Sequence, residues 1–325
     1  MTRRTLILLT IAAIAWACGG APKPEGTLTI AVIPKGTAHV FWQSIHAGAS
    51  KAAQELGVEI IWRGPLREDD RSAQVSEVQG FVTRGVSGIV LAPLDDSALV
   101  APVAEAISSH IPVVIIDSGL KTDDYVSFVA TDNRKGGELA GEGLATLLPG
   151  GGKIVLLRYA EGSASTTERE EGFLAAIARH PNLQVVSSNQ YGGADMESAY
   201  KKGESLLTRF KGANGSLGVD GIFCPNESTT HAMLRVLSDN GWAGKVKFIG
   251  FDATDALVKG MTDGAISGLV LQDPVKMGYL GVKTIVAHIR GENVQRRIDT
   301  GVQLVTPGNM AQPAMNELLH PALSQ

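Results

Sequence analysis

The sequence is poor in cysteine, in aromatic residues and in basic charge. Its 325 residues include 2 Cys, and Phe, Trp and Tyr together make up 5%. The formal net charge of −4 argues against nucleic acid as a partner, because phosphate binding requires a basic face. After residue 17 no apolar run approaches the roughly 20 residues of a membrane-spanning helix. Because aromatic residues are scarce, any clustered pair of them is informative.

The N-terminal segment has the layout of an export signal. Arg3-Arg4 supplies positive charge, and residues 6–17 form an apolar stretch too short to cross a bilayer as a helix. Ala15-Trp16-Ala17-Cys18 then resembles the bacterial lipobox, which predicts a signal peptide over 1–17 and a lipid on Cys18. The alternative is a plain signal peptide cut near Ala17 with an unmodified cysteine. Both interpretations predict export, and lipidation would hold the protein at a bacterial membrane, in the periplasm or at the cell surface.

The segment after the signal is rich in glycine and proline. Residues 18–26 contain GGAPKPEG and are predicted to form a flexible tether between the lipid and the folded body. Removal of residues 1–17 takes away two Arg and no acidic residue, so the net charge falls from −4 to −6. Cys224 is the only other cysteine, and no intramolecular disulfide is expected. The roughly 300 residues that remain favour two domains.

Apolar strand-like runs alternate with helical patterns along the body. After the first run, Ile45, Ala49, Ala52 and Leu56 recur at helical spacing and form one apolar stripe. Near-continuous apolar strands joined by helices predict parallel sheets covered on both faces, which is a doubly wound α/β fold. The predicted strands are 28–33, 58–62, 88–92, 113–117, 126–130, 153–157, 184–188, 221–223, 246–250 and 268–271.

Polar residues follow most of the predicted strands. In doubly wound sheets, ligands bind beyond the carboxyl ends of the strands. Two such polar rims, one in each half of the body, predict two similar domains that face each other across a cleft. The rim segments are 35–42, 63–70, 95–96 and 117–118 in the first half, and 158–169, 226–227, 252 and 272–273 in the second.

A series of short motifs runs from Leu28 to the C-terminus. In chain order they are Phe41-Trp42 at a helix start, APLDDSALV at 92–100, IDS at 116–118, ATDN at 130–133, EREEGF at 168–173, FCPNE at 223–227, IGFDAT at 249–254 and LQDPVKMG at 271–278. This series resembles the periplasmic sugar-binding proteins of the ribose/galactose-binding type. These proteins are the receptors of ABC importers, and their fold is related to the effector domains of lactose-repressor-type regulators.

The resemblance implies a type I periplasmic binding protein with two Rossmann-like lobes and a three-strand hinge. The hinge crossings are expected near 130–133, between 252 and 272, and near Gly301. The N-terminal lobe would comprise 27–131 plus 272–301, and the C-terminal lobe 132–271 plus 302–325. Closure of the lobes around a ligand is the motion typical of such receptors. The implied partners are a small sugar or polyol and an ABC permease, and the implied state is a monomer.

The resemblance also implies a set of ligand contacts. A sugar ring has apolar faces and a belt of hydroxyls, so its site needs flat apolar walls and directed polar groups. Phe41 and Trp42 match the aromatic pair that sandwiches the ring. Carboxylates accept hydrogen bonds from two hydroxyls, and arginine donates a planar fork. The polar residues that align with family contacts are Asp117, Arg169, Asn226, Asp252 and Gln272.

Several positions depart from the family pattern. Ser118 stands where ribose binders commonly place a second arginine. Ala194 falls where an aromatic residue of the C-terminal lobe usually stacks on the ring, and Tyr191 is expected to substitute for it. Lys35 and His39 occupy a loop in which many relatives have neutral residues. Lys35, His39, Ser118 and Tyr191 are therefore further candidate contacts, in a pocket suited to a sugar other than ribose.

Other functions have less support in the sequence. The seven His lack metal-ligand spacing, and the GGGK at 150–153 precedes a strand, so neither a metal nor a cofactor is expected. No Ser or Cys lies in a nucleophile elbow, so we expect no enzyme. A transcription regulator would need an N-terminal DNA-binding module where an export signal stands. A signalling receptor of the same fold, which presents a sugar-like autoinducer to a membrane kinase, remains the alternative to transport.

Overall fold

The computed structural model describes residues 26–321, so Cys18, the signal peptide and most of the tether lie outside the described residues. The strands are β1 (Thr29–Ile33), β2 (Glu59–Trp62), β3 (Gly88–Leu91), β4 (Val113–Ile116), β5 (Ser127–Ala130), β6 (Gly152–Arg158), β7 (Leu183–Tyr191), β8 (Gly221–Phe223), β9 (Lys247–Phe251), β10 (Gly268–Leu271), β11 (Arg297–Asp299) and β12 (Gln303–Val305). The helices are α1 (Val40–Leu56), α2 (Arg71–Arg84), α3 (Val100–Ser108), α4 (Asn133–Leu147), α5 (Ala164–Ile177), α6 (Met196–Thr208), α7 (Glu227–Asp239), α8 (Asp255–Thr262), α9 (Pro274–Ile289) and α10 (Pro313–Leu319).

These strands form two six-stranded sheets. Sheet A has the order β11-β5-β4-β3-β1-β2, and all its neighbouring strands are parallel. Sheet B has the order β12-β10-β9-β8-β6-β7, and only its edge strand β12 is antiparallel to its neighbour. The predicted doubly wound fold with two lobes is confirmed.

Both faces of each sheet are buried. In β1, Ile30 and Val32 pack against one set of helices, whereas Ala31 and Ile33 pack on the opposite face. Strands buried on both sides must be apolar at every position, which explains the uninterrupted apolar runs in the sequence. Among residues 26–321, no helix is both long enough and apolar enough to cross a membrane.

The chain passes between the sheets three times. It leaves sheet A after β5, returns to it after β10, and leaves it again between β11 and β12. Two of these segments touch, because the hydroxyls of Thr131 and Thr300 lie 3.3 Å apart. The three-residue strands β11 and β12 were not among the sequence predictions. Both contain polar residues and are partly exposed at the sheet edges, so they lack the buried apolar run that revealed the equally short β8. Their pairing with β5 and β10 defines them.

Each lobe contains a pair of helices whose backbones cross in close contact at a glycine. A methyl group on Gly48 of α1 would clash with the carbonyl of Val275 in α9. In the other lobe, a methyl group on Gly137 of α4 would clash with the carbonyl of Arg169 in α5. Glycine at these crossings allows backbone to approach backbone, and the second crossing fixes the turn of helix that carries Arg169.

Candidate functional site

A polar cavity lies between the carboxyl ends of the two sheets. Nine of the residues predicted from the sequence line it: Lys35, His39, Phe41, Trp42, Asp117, Arg169, Asn226, Asp252 and Gln272. Five more were not in the predicted contact set: Glu68, Tyr159, Ser165, Thr166 and Glu227. The loops that follow strands of both sheets therefore meet at one place, as the rule for doubly wound sheets requires.

Two aromatic rings at the start of α1 form an apolar wall. The ring centroids of Phe41 and Trp42 are 4.9 Å apart, and the ring planes are nearly perpendicular at 83°. The pair therefore presents two walls at an angle, and the two rings do not form one flat surface. Both side chains are buried against the core of the lobe that contains sheet A. A sugar ring could place its C–H face against either wall.

Asp117 and Asp252 occupy equivalent positions after β4 and β9. Their φ angles are +61° and +67°, in the left-handed region that few residues other than glycine adopt. Aspartate is among the residues that tolerate this conformation, and such strain tends to occur at functional sites. The backbone turn directs each carboxylate into the cavity from its own lobe.

Asp252 belongs to a hydrogen-bonded group within the cavity. Its Oδ1 accepts from Nε2 of Gln272 at 2.8 Å, and its Oδ2 accepts from the backbone N–H of Glu227 at 3.1 Å. Burial raises the pKa of Asp252, although the charge of Arg169 opposes that shift. Within residues 26–321, Oε1 of Gln272 is buried and has no hydrogen-bond partner. This oxygen can accept a hydrogen bond from a ligand hydroxyl.

Arg169 is 2% exposed and is held from several sides. Its Nε donates to Oδ1 of Asn133 at 2.8 Å, its Nη1 donates to the carbonyl of Pro225 at 3.0 Å, and its guanidinium lies 4.0 Å from the centre of the Phe251 ring. Burial lowers the pKa of Arg169.

Nη2 of Arg169 lies 4.0 Å from Oδ1 of Asp117, beyond hydrogen-bond distance. It has no hydrogen-bond partner in the described part of the chain. A buried donor without a partner costs roughly 1–3 kcal/mol, and a bound hydroxyl would remove that cost.

Lys35 neutralises Asp117, which belongs to the same lobe. Its Nζ lies 2.8 Å from Oδ2 of Asp117 and donates to Oγ of Ser165 at 2.9 Å and of Ser163 at 3.4 Å. An ammonium group has three protons, so these partners use all of them. Ser165 in turn donates its backbone N–H to Oγ of Ser118 at 3.0 Å, which connects the two lobes.

Glu68 accepts three hydrogen bonds from side chains of both lobes. Its Oε1 accepts from Nε1 of Trp42 at 2.6 Å and lies 2.5 Å from Nδ1 of His39, and its Oε2 accepts from the hydroxyl of Tyr159 at 2.6 Å. Burial alone would raise the pKa of Glu68, but the hydrogen bonds and the charge of His39 lower it below the usual value. Burial likewise acts to lower the pKa of His39, and Glu68 raises it to about 9. The two form a charged pair at neutral pH.

Glu227 joins the lobes at the start of α1. Its Oε2 accepts from the backbone N–H of Phe41 at 3.0 Å, and its Oε1 accepts from that of Val40 at 3.4 Å. A carboxylate at a helix N-terminus satisfies otherwise unpaired N–H groups. Burial nevertheless raises the pKa of Glu227 to about 7, because the charge of His39 offsets only part of the desolvation.

Asn226 lines the cavity and also begins α7. Its Oδ1 accepts from the backbone N–H of Thr229 at 3.3 Å and from the Thr229 hydroxyl at 2.6 Å, and its Nδ2 donates to Ser228 at 3.0 Å. Much of its hydrogen-bonding capacity is therefore spent on capping the helix.

The structure does not bring every predicted residue to the cavity. Tyr191 ends β7 with 37% of its surface exposed, and its ring lies 5.7 Å from the Arg158 guanidinium. Ala194 and Ser118 are buried, and neither lines the cavity. Tyr191 does not line the cavity, and the aromatic ring that reaches the cavity from this lobe is that of Tyr159. Tyr159 follows β6 directly and lies in the predicted rim 158–169, where its place after a buried strand was the available signal.

Within residues 26–321, no group of His, Cys, Asp and Glu is arranged to hold a metal ion. Cys224 is fully buried among apolar residues, and burial raises the pKa of its thiol well above the usual value. Cys224 therefore packs as a small hydrophobic residue, and its thiol is a poor nucleophile.

Two doubly wound lobes with a polar, aromatic-walled cavity between their strand ends define a receptor for a small polar molecule. The family model for the periplasmic binding protein domain matches residues 30–293. The chain therefore belongs to the periplasmic binding proteins, and its predicted place among the type I sugar-binding members is confirmed. This is a family of transport receptors, not of enzymes.

Individual relatives agree with this assignment. The ribose import binding protein of Haemophilus influenzae is 29% identical over 86% of this chain and 91% of its own. A carbohydrate transporter solute-binding protein from Agrobacterium radiobacter, solved with D-arabinose, has a TM-score of 0.86 and 34% identity over 91% of this chain and all of its own. An ABC transporter solute-binding protein from Agrobacterium vitis, solved with D-fucose, has a TM-score of 0.84 and 37% identity over 90% of this chain and all of its own.

Proposed function

We propose that this protein is the lipid-anchored receptor of an ABC importer and that it binds a monosaccharide or a related polyol between its lobes. The observation that carries the proposal is the polarity of the cavity. Every cationic side chain that lines it faces a carboxylate: Lys35 faces Asp117, His39 faces Glu68, and Arg169 lies near Asp117 and Asp252. Glu227 is a fourth carboxylate in the lining, and its pKa of about 7 leaves it only partly charged at neutral pH. The site is therefore close to neutral and favours a neutral ligand with many hydroxyls over an anion or a cation.

The buried atoms without partners support the same ligand class. Nη2 of Arg169 can only donate a hydrogen bond, and Oε1 of Gln272 can only accept one. A hydroxyl is both donor and acceptor, so a polyol can satisfy both groups. The angled walls of Phe41 and Trp42 complement this belt of polar groups with apolar surface.

Closure of the lobes is the proposed means of capture. Glu227, Tyr159 and Ser165 of one lobe contact Phe41, Glu68 and Lys35 of the other, respectively. These contacts must separate if the lobes open, and the three crossing segments are the places where the chain can bend. We place the lobe boundaries at 27–131 plus 272–301 and at 132–271 plus 302–325.

The cellular setting is part of the proposal. The relatives named above are import or solute-binding proteins, which favours a periplasmic transport role over presentation of a signal to a kinase. The lipid on Cys18 would keep the receptor near its permease, and the tether would let it move locally. We propose that it acts as a monomer.

Calorimetry with a panel of pentoses, hexoses and polyols tests the proposal. At least one of them should bind and raise the melting temperature. Trp42→Ala and Asp252→Asn should each weaken that binding by tenfold or more, which corresponds to about 1.4 kcal/mol. Asparagine tolerates the left-handed backbone at 252, so this variant tests the charge with little backbone strain. Asp263→Asn, on the surface at the end of α8 with its side chain 54% exposed, is the matched control. Binding of no member of the panel would contradict the proposal.

A further inference from the structure

One wall of the cavity is made by side chains that bind each other across the cleft. Tyr159 is 2% exposed and lies directly after β6 of sheet B, while Glu68 follows β2 of sheet A. The hydroxyl of Tyr159 donates to Oε2 of Glu68 at 2.6 Å, which is short and typical of a phenol that meets a carboxylate. His39 and Trp42 bind the other oxygen of Glu68 and complete this wall.

The position of Tyr159 is fixed from both ends. At the backbone, its N–H donates to Oε1 of Glu170 at 3.0 Å, and its carbonyl accepts from the N–H of Gly193 at 2.9 Å. At the tip of the ring, Glu68 holds the hydroxyl. A buried ring held in this way cannot swing aside at low cost to admit a larger ligand.

The carboxylate that anchors this ring has little capacity left for a ligand. A carboxylate offers about four lone-pair sites, and three of those of Glu68 already accept protein donors. The wall therefore acts mainly through its shape. The groups left without partners, Nη2 of Arg169 and Oε1 of Gln272, belong to other parts of the lining.

We infer that Tyr159 is a specificity-determining residue that ends the cavity at the Glu68 side and selects compact rings, such as pentoses, over hexoses that carry an exocyclic hydroxymethyl group. This inference rests on the proposed function of the same site. The inference gives the Tyr159 side chain two separate roles. The ring limits the length of the ligand that fits, whereas the hydroxyl stabilises the closed arrangement of the lobes equally for every ligand.

Two variants and matched sugar pairs distinguish these roles. D-ribose and D-allose, or D-xylose and D-glucose, differ only by the hydroxymethyl group in their pyranose forms. In the full-length protein, the pentose of the pair that binds should bind at least tenfold more tightly than its hexose. Tyr159→Ala should reduce that preference by tenfold or more. Tyr159→Phe should weaken both sugars by about tenfold, because a buried hydrogen bond to a charge is lost, and should leave the preference unchanged.

The outcomes separate this inference from the proposed function. If the unmodified protein binds no member of the panel of pentoses, hexoses and polyols, the proposed function fails and this inference fails with it. If the unmodified protein binds a hexose as tightly as its matched pentose, or binds members of the panel but none of the matched pairs, only this inference fails. If it binds sugars and Tyr159→Ala keeps the original preference, only the role of Tyr159 is overturned. Tyr159→Leu provides a second route should Tyr159→Ala not fold, because leucine keeps an apolar side chain in the buried position and lacks the length of the ring. It should relax the preference in the same direction, and an unchanged preference would again overturn the role of Tyr159.

Discussion

The carboxylate of Glu227 accepts a hydrogen bond from the backbone N–H of Phe41 at 3.0 Å, although the two residues lie in different lobes and are 186 positions apart. Glu227 begins α7 next to Asn226, and Phe41 lies in the first turn of α1. The acid thus caps a helix of the opposite lobe and helps to hold an aromatic wall of the cavity in place.

The burial of Glu227 at this contact predicts a pH dependence of stability. The folded pKa of Glu227 is raised from 4.5 to about 7, so the folded protein binds its proton more tightly than the unfolded chain does. Its contribution to stability is therefore fully present below pH 4.5 and is lost as the pH rises to about 7. The loss in the free energy of unfolding is up to about 3 kcal/mol. Glu227→Gln keeps an oxygen for the Phe41 N–H and cannot ionise. Denaturant unfolding between pH 4.5 and 8 should give a flatter stability curve for Glu227→Gln than for the unmodified protein.

The raised pKa of His39 predicts a second decline in the stability of the folded protein, at higher pH. Because its folded value of about 9 exceeds the ordinary 6.5, the folded protein retains a proton that the unfolded chain loses. Stability from this group falls as the pH rises from 6.5 to 9. This fall in stability between pH 6.5 and 9 should therefore persist in Glu227→Gln, which would assign it to His39. Identical curves for both proteins below pH 7 would refute the assignment to Glu227.

Arg169→Lys tests the fixed guanidinium. Lysine keeps the charge but cannot bond to Asn133 and Pro225 while also presenting a planar edge to the cavity. We expect the affinity for the sugar to fall at least tenfold, with a smaller loss in the melting temperature of the ligand-free protein. Arg134→Lys is the control, since Arg134 is exposed and pairs with Glu171 on the surface. Unchanged affinity in Arg169→Lys would show that the guanidinium is not a ligand contact.

Gly137→Ala tests how the helix crossing positions Arg169. The added methyl group would clash with the carbonyl of Arg169, so α4 and α5 must move apart at a cost of about 1–3 kcal/mol. Sugar affinity should fall together with stability. Gly80→Ala in α2 places its methyl group in open space and should stabilise the protein by roughly 0.5–1 kcal/mol. Chemical denaturation of the two variants compares them directly, and a neutral Gly137→Ala would show that the crossing is loosely packed.

Cys18→Ala tests the membrane anchor. Cells that express the full chain and are fed a palmitate analogue should label the unmodified protein and not Cys18→Ala. Cys224→Ala should remain labelled, because Cys224 is fully buried within the folded body. Absence of label on the unmodified protein would favour the alternative of a plain signal peptide, and labelling that survives in Cys18→Ala would show that the lipid is not on Cys18.

Much of the fold could be predicted from local patterns in the sequence. The ten predicted strands correspond to β1–β10, and the apolar stripe of Ile45, Ala49 and Ala52 is buried in α1. Strands β11 and β12 could not be predicted, since they are partly exposed edge strands with polar residues, whereas the equally short β8 is buried throughout. The rims at the strand ends were also predictable, because parallel strands bring their carboxyl ends to one edge.

The identity of the wall residues could be predicted only in part. Tyr191 and Tyr159 both lie close to strand ends of the same lobe, and the sequence alone favoured Tyr191. The structure leaves Tyr191 partly exposed at the end of the edge strand β7 and places Tyr159, directly after the more central strand β6, beside Glu68. Which side chain reaches a cleft depends on the position of its strand within the sheet, and local patterning does not encode that position.

The sequence by itself determined the class of this protein, its doubly wound lobes and the loops that carry its site, because hydrophobic periodicity and motif order are local properties of the chain. Only the tertiary structure decided which groups meet across the cleft. Glu68 and Tyr159, 91 positions apart, and Glu227 and Phe41, 186 positions apart, are brought together by the packing of one lobe against the other. Their hydrogen bonds and pKa values follow from that burial, which no stretch of sequence contains.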